Sequence, residues 1–315
     1  MEGAVQMKKG VLVSLLAIVP LFILSGCESM VVFDPQGPVA RSITDLINWS
    51  IVLMAFVCLV VFALFGYIVW KYRATKENAD YEPEEHGSTK LEIVWTVIPF
   101  LIIIALTVPT VKTIFALEDV PKDYKDRDPV VINVTSADWK WIFSYPEEGI
   151  ETVNYVNIPA GVPVEFKLTS AGTMQSFWIP ALAGQKYTMY GAETDLYVVA
   201  DNPGNYEGQN TSFNGKGYAE MKFDVEAKSV EDYDKWVDEV KETAPKLTEE
   251  KYREIIKPTH LGRMTFSNTH LEWIDHGKGG DSNYYLNPEL YRVHGYPGRT
   301  FEKNQESDGG EKDAH

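Results

Sequence analysis

Residues Trp49 to Trp70 read WSIVLMAFVCLVVFALFGYIVW, 22 residues without a charge and with a tryptophan at each end. As a helix rising about 1.5 Å per residue the run is about 33 Å long, enough to cross a bilayer. Tryptophan favours the two membrane–water interfaces that such a span would meet. Outward from it, Ile93 to Val111 gives 19 more uncharged residues, about 28 Å as a helix and adequate for a second span. Pro99 and Pro109 interrupt that second run. They are tolerable where neighbouring helices or water satisfy the carbonyls they free. The pattern predicts a transmembrane hairpin over 49–116, with Cys58 as a small packing residue in mid-span.

Upstream, Lys8 and Lys9 precede the apolar stretch Gly10 to Leu24 and the ending Leu24-Ser25-Gly26-Cys27. A basic start followed by an apolar run is a secretory signal. The ending resembles a bacterial lipobox, which makes 1–26 a lipoprotein signal peptide and Cys27 the lipid attachment point, acylated for instance with palmitate. Segment 27–48 is then external. Basic residues fall on both sides of the second span: Lys71, Arg73, Lys76 and Lys90 in the connecting loop, Lys112, Lys122, Lys125 and Arg127 after it. Charges that lead into a long translocated domain weigh little, so the loop is the cytoplasmic side. An exported N-terminus gives the same answer, with residues 112–315 outside the cell membrane.

From Pro129 to Lys228 the pattern changes. Val130 to Val134 is an apolar run with strand propensity, and Val164-Glu165-Phe166-Lys167-Leu168 alternates. Turn signals recur at Pro146, Ala160-Gly161-Val162-Pro163, Gly184 and Asn202-Pro203-Gly204. Short strands so punctuated read as a β sandwich or barrel. Ser229 then caps a helix to Thr243 with Asp232 at the capping-box position and Tyr233, Trp236, Val237 and Val240 as its apolar stripe. Thr248 caps a second, short helix through Ile256, stopped by Pro258. The acidic stretch 301–315 reads as a disordered tail. A net charge of −16 excludes nucleic-acid binding, which needs a basic surface. No cysteine follows Cys58, so the outer part has no disulfide framework.

Two spans, a short loop and an external β domain resemble subunit II of the haem–copper oxidases, from about Gly37 through Asp275. Leu91-Glu92-Ile93-Val94-Trp95-Thr96-Val97-Ile98-Pro99 resembles the opening of that family's second helix, and Trp139-Lys140-Trp141-Ile142-Phe143-Ser144-Tyr145 its aromatic cluster. Gln175-Ser176-Phe177-Trp178-Ile179-Pro180 is similar to the strand that normally begins with a copper-binding histidine. Residues 229–275 resemble the C-terminal extension of the quinol-oxidising branch. The resemblance implies this architecture: a signal/lipoprotein segment, a two-helix hairpin, a cupredoxin-like all-β sandwich over 117–228, and a short helical C-terminal extension over 229–300.

The copper-bearing branch holds a binuclear centre with an upstream histidine and a Cys-x-x-x-Cys-x-x-x-His-x-x-Met loop. In this chain no histidine or cysteine occurs from Gly87 to Thr259. By the resemblance Gln175 stands at the first histidine, Asn210 and Asn214 at the cysteines and Tyr218 at the second histidine. Ser212 replaces a glutamate that gives copper its backbone carbonyl, and only Met221 remains. Copper there needs thiolates and imidazoles, which neutral amides and a phenol cannot replace. They can hydrogen-bond one another and fill the vacated pocket. The resemblance therefore implies a quinol oxidase: quinol, here menaquinol as in Gram-positive relatives, donates within the membrane to a haem in subunit I, and cytochrome c is not a donor. Haems and copper sit in that partner. This chain binds no cofactor and is a structural subunit beside subunit I and smaller subunits.

Trp139 matches the residue through which electrons enter the copper-bearing relatives, and without copper it reads as packing. Glu92 is similar in position to a glutamate where protons enter subunit I; the plain reading is a solvated interfacial carboxylate. His260, His270, His276 and His294 form no tight metal-spaced cluster and read as solvated or hydrogen-bonded rather than as a zinc site. A freestanding lipoprotein with a ligand-binding or sensing β domain is the alternative, one that leaves the preserved loop spacing unexplained.

Overall fold

The computed structural model describes residues 30–73 and 87–277. The signal segment with Cys27, His294 and the acidic tail lie outside them. Two long helices, α1 (Pro38–Lys71) and α2 (Thr89–Leu117), form the hairpin. Each is long and apolar enough to cross a membrane.

The first helix begins at Pro38, well ahead of the uncharged run at Trp49, because its first turn is built into the β domain. Proline suits a first turn, where its missing N–H costs nothing. Just before it, Gln36 N–H donates to the Ala181 carbonyl at 2.8 Å, and Asp201 N–H donates to the Gln36 carbonyl at 2.9 Å. Gly37 passes so close that a β-carbon there would lie 2.0 Å from the Val199 carbonyl oxygen. Arg41 pairs with Asp201, Val39 is buried in the domain core, and the Thr44 hydroxyl donates to Val32 and Ala40 carbonyls at 2.7 and 2.9 Å.

Pro109 has no N–H to give to the carbonyl of Ala105 one turn earlier. The indole N–H of Trp49 donates to that carbonyl at 3.2 Å, so the neighbouring helix satisfies what the proline frees. Among the described residues the hairpin touches itself only in the half nearer the β domain. Leu46, Ser50, Leu53 and Val57 on α1, and Ile102, Ala105, Leu106, Pro109 and Thr113 on α2, are partly covered. Every described residue from 58 to 73 and from 87 to 101 is exposed.

Among the described residues eleven strands follow: β1 (Val130–Ala137), β2 (Lys140–Tyr145), β3 (Ile150–Val153), β4 (Tyr155–Pro159), β5 (Val164–Ser170), β6 (Gln175–Trp178), β7 (Lys186–Thr188), β8 (Thr194–Val198), β9 (Gly204–Asn210), β10 (Lys222–Lys228) and β11 (Met264–Phe266). One sheet has the order β11-β3-β2-β1-β5-β8 and the other β4-β10-β9-β6-β7. The pairs β1/β5 and β10/β4 are parallel and the rest antiparallel. The two sheets make a sandwich. Alternation assigns the faces: in β5, Val164, Phe166 and Leu168 are buried while Glu165 and Lys167 are only partly covered. Between the sheets Phe177 stacks on Phe223 at 4.9 Å, and Trp141 meets both edge-on.

Strand β2 is buried throughout, which alternation alone does not explain. Trp141, Phe143 and Tyr145 face the inter-sheet core, whereas Ile142 belongs to a second apolar cluster with Leu247, Tyr252, Ile255, Phe266 and Ile274. The C-terminal extension supplies that cover. Its described part includes α3 (Val230–Thr243), the short α4 (Glu249–Ile255) and strand β11. Ser229 and Thr248 cap the helices as the sequence predicts, accepting from Asp232 N–H and Lys251 N–H. The strand was not predicted: the extension adds an edge to the six-stranded sheet, with Phe266 opposite Glu151.

Candidate functional site

Strand β6 begins at Gln175 and β9 ends at Asn210, and the two lie side by side, with Phe177 opposite Asn210. The loop from Thr211 returns through a short turn at Tyr218–Glu220 into β10. Register thus gathers Gln175, Asn210, Asn214 and Met221 from distant parts of the chain.

Gln175, Asn210 and Met221 are buried. The side-chain Oε1 of Gln175 accepts from Asn214 Nδ2 at 2.9 Å and from Asn210 Nδ2 at 3.4 Å. Asn214 Nδ2 also lies 3.3 Å from the Met221 sulfur. Asn210 Oδ1 accepts the N–H groups of Ser176 and Ser212 at 3.0 and 2.9 Å, and its Nδ2 donates to the Ser212 carbonyl at 2.8 Å. Gln175 Nε2 and Asn214 Oδ1 have no partner among the described residues. Three amides and one thioether occupy the pocket, and Ser212 contributes through its backbone.

Tyr218 does not join them, contrary to the expectation that the phenol helps fill the pocket. It is partly exposed and tilts against the ring of Phe213 at 5.6 Å. A phenol is longer than an imidazole, and the turn that begins at this residue carries it outward.

Trp139 roofs the loop. Its backbone takes φ of 68°, in the left-handed region that costs a non-glycine residue roughly 1–2 kcal/mol. The strain is offset by the contact it permits: the indole lies against Gly217, where a β-carbon would sit 2.2 Å from the ring, and donates to the Asn214 carbonyl at 3.3 Å. The packing reading of Trp139 therefore has a concrete form.

The donor set does not fit copper. Neutral amides are poor ligands for a soft metal, and one thioether does not compensate. Among the described residues no group of three or more His, Cys, Asp or Glu side chains is placed to hold a metal ion. Glu92 is exposed in the first turn of α2, with its carbonyl accepting from Thr96. It stands at the end of the hairpin opposite the amide pocket.

Sequence reasoning missed the polar groups under the extension. Lys140 is fully buried and donates to the Asp138 and Lys257 carbonyls at 2.8 and 2.7 Å. Burial lowers its pKa to about 8. His270 and His276, read as solvated or hydrogen-bonded, are both buried and hydrogen-bonded. His260 is exposed, 3.9 Å from Glu220.

A cupredoxin-like sandwich on a two-helix hairpin, with a loop of copper-site length, defines a subunit II of the haem–copper terminal oxidases. In agreement, residues 27–113 match the family described as cytochrome c oxidase subunit II, transmembrane domain, and the protein is membrane-anchored. More narrowly, the chain belongs to the quinol oxidase subunit 2 family. It is 56% identical over 288 residues to quinol oxidase subunit 2 of Bacillus cereus, covering 90% of this chain and 99% of that one. It is 50% identical over 282 residues to the Bacillus subtilis protein of that name, covering 89% and 87%. Among solved structures, the periplasmic domain of subunit II of cytochrome oxidase from Bradyrhizobium japonicum aligns at 21% identity with a TM-score of 0.34, covering 35% of this chain and 91% of that one. The family membership favours the oxidase reading over a freestanding lipoprotein.

Proposed function

We propose that this chain is the non-redox subunit II of a menaquinol oxidase that reduces O2 to water and translocates protons. Quinol delivers electrons within the membrane to a haem of subunit I, which also holds the copper. Cytochrome c is not a donor. The observation that carries the reading is the amide pocket: Gln175, Asn210 and Asn214 bond to one another where a relay would need thiolates and imidazoles.

In this reading Cys27 bears the lipid, the β domain lies on the external face, and smaller subunits complete the assembly. The hairpin presents long apolar faces with no cover of their own, as a chain that packs against subunit I and lipid requires. Glu92 begins α2 at the cytoplasmic side, where a carboxylate can take up and pass on protons for subunit I.

Oxygen uptake by the purified complex tests the function. A reduced menaquinone analogue should sustain it and reduced cytochrome c should not. Cytochrome c-driven uptake that survives quinone extraction would overturn the proposal.

A further inference from the structure

Beneath the C-terminal extension lies a buried polar cluster that the oxidase reading does not use. Glu151 on β3 presents one carboxylate oxygen to three donors: the Ser144 hydroxyl at 2.9 Å, the His270 N–H at 2.9 Å and the His270 Nδ1 at 2.6 Å. With Glu151 ionised this oxygen can only accept, and Nδ1 is then the protonated nitrogen of His270. Tyr252 of α4 stacks on the His270 ring at 4.4 Å, and its hydroxyl meets His276 Nε2 at 2.8 Å. Glu151, His270, Tyr252 and His276 are all at most 1% exposed. Glu151 Oε1, His270 Nε2 and His276 Nδ1 have no partner among the described residues.

Apart from Ser144 to Glu151 within the sheet, the contacts of this cluster join the sheet to the extension or one part of the extension to another. Further along the same seam Lys140 holds the Lys257 carbonyl, Asn154 Nδ2 holds the Leu261 carbonyl at 2.6 Å, and Arg263 pairs with Asp224 and Glu226. The apolar part of the seam is built on Ile142, Val153, Leu247, Tyr252, Ile255, Ile256, Phe266 and Ile274. Buried polar groups are thus set into an apolar contact, and docking of the extension depends on both. A buried group that gains a charge without a partner is strongly destabilising.

We propose that residues 246–277 are an acid-released latch on the outer face of the six-stranded sheet, with His276 as the proton-sensing group. The inference goes beyond the oxidase reading and does not depend on it. Burial raises the pKa of Tyr252, so its hydroxyl remains a phenol, hydrogen-bonded to His276 Nε2. Protonating His276 would make Tyr252 the acceptor of that contact and leave a charged ring in a site closed to water. The charge would also lie beside His270, whose ring centroid is 5.7 Å away. The groups that face His276 are Tyr252, His270 and Asp275, and Glu193 approaches Gly277 next to it. Of the charge effects on His276, that of His270 opposes protonation and the smaller one of Asp275 favours it.

The sign follows from burial first and His270 second. Together they lower the His276 pKa from 6.5 to about 3 in the latched state. The released state regains the ordinary value and binds the proton more readily. The latch is at full strength above pH 6.5 and weakens as pH falls from there towards 3. One proton makes the release equilibrium about tenfold more favourable per pH unit within that window.

Hydrogen exchange on the assembled complex in detergent tests this. Corrected for intrinsic exchange, protection of amides in 247–276 should fall about tenfold per unit between roughly pH 6 and 5, while amides of β1 and β5 hold. His276→Gln keeps a hydrogen-bonding group for Tyr252 and cannot titrate, so its profile should be flat. His260→Gln, at an exposed histidine, should match the wild type. A flat wild-type profile, or an unchanged slope in His276→Gln, would overturn the latch. Should His276→Gln leave the extension unprotected even at neutral pH, the wild-type slope decides alone.

Discussion

Replacing Trp49 with phenylalanine keeps an aromatic ring at the hairpin's outer half and removes the N–H that reaches the Ala105 carbonyl at 3.2 Å. That carbonyl cannot recover its helical partner, because residue 109 is proline. Interhelical hydrogen bonds in membranes contribute about 0.6 kcal/mol on average and about 1.7 at most. The orphaned acceptor places this one towards the upper half, about 1 kcal/mol, or roughly fivefold in the equilibrium between associated and separated helices. The expected result comes from a cycle of four proteins: wild type, Trp49→Phe, Pro109→Ala and the double variant. Each is denatured with SDS in mixed micelles and followed by circular dichroism. The Pro109→Ala change restores an N–H to Ala105 from within the helix. Trp49→Phe should therefore cost about 1 kcal/mol when Pro109 is present and close to nothing in the Pro109→Ala background. An equal cost in both backgrounds would show that Trp49 does not compensate the proline.

The purified chain should bind no stoichiometric copper, whereas a variant carrying Gln175→His, Asn210→Cys, Ser212→Glu, Asn214→Cys and Tyr218→His should bind it and colour; metal analysis and a visible spectrum decide, and copper in the unaltered chain would contradict the donor-set argument. Glu92→Gln should slow quinol-driven oxygen uptake by about tenfold or more if the carboxylate passes protons, with haem content unchanged and Glu92→Asp recovering part of the rate. An unaltered rate would return Glu92 to a solvated interfacial role. Gly208→Ala should destabilise the sandwich by about 1–3 kcal/mol, because its β-carbon would lie 2.0 Å from the Phe223 ring. A melting temperature equal to wild type would show that the ring moves aside freely.

Local signals in the sequence proved reliable where local physics decides. The uncharged runs mark the helices, and Ser229 and Thr248 cap where an oxygen can meet the third N–H. The need for a partner at Pro109 was also legible, although its identity was not. Trp49 was legible only as an interfacial anchor, and its donation to Ala105 is a matter of packing. What escaped depends on partners far along the chain. Met264-Thr265-Phe266 is too short to announce a strand and becomes one by pairing with β3. His270 sits in a polar stretch but is buried because Glu151, 119 positions earlier, waits for it. In the pocket, the family resemblance gave the amides their places but could not tell that Tyr218 turns outward, which is a matter of side-chain length and turn geometry.

The seam at Gly37 bears on the order in which the protein is made. The first helix leaves the ribosome and reaches the membrane long before Ala181, Val199 and Asp201 exist, yet its first turn is completed by them. Contacts between residues so far apart in sequence close late. The leading end of α1 must therefore wait, unpaired at the membrane surface, until the sandwich has folded and can receive it. Closure of that seam is the step at which a finished β domain takes up a fixed attitude above its anchor.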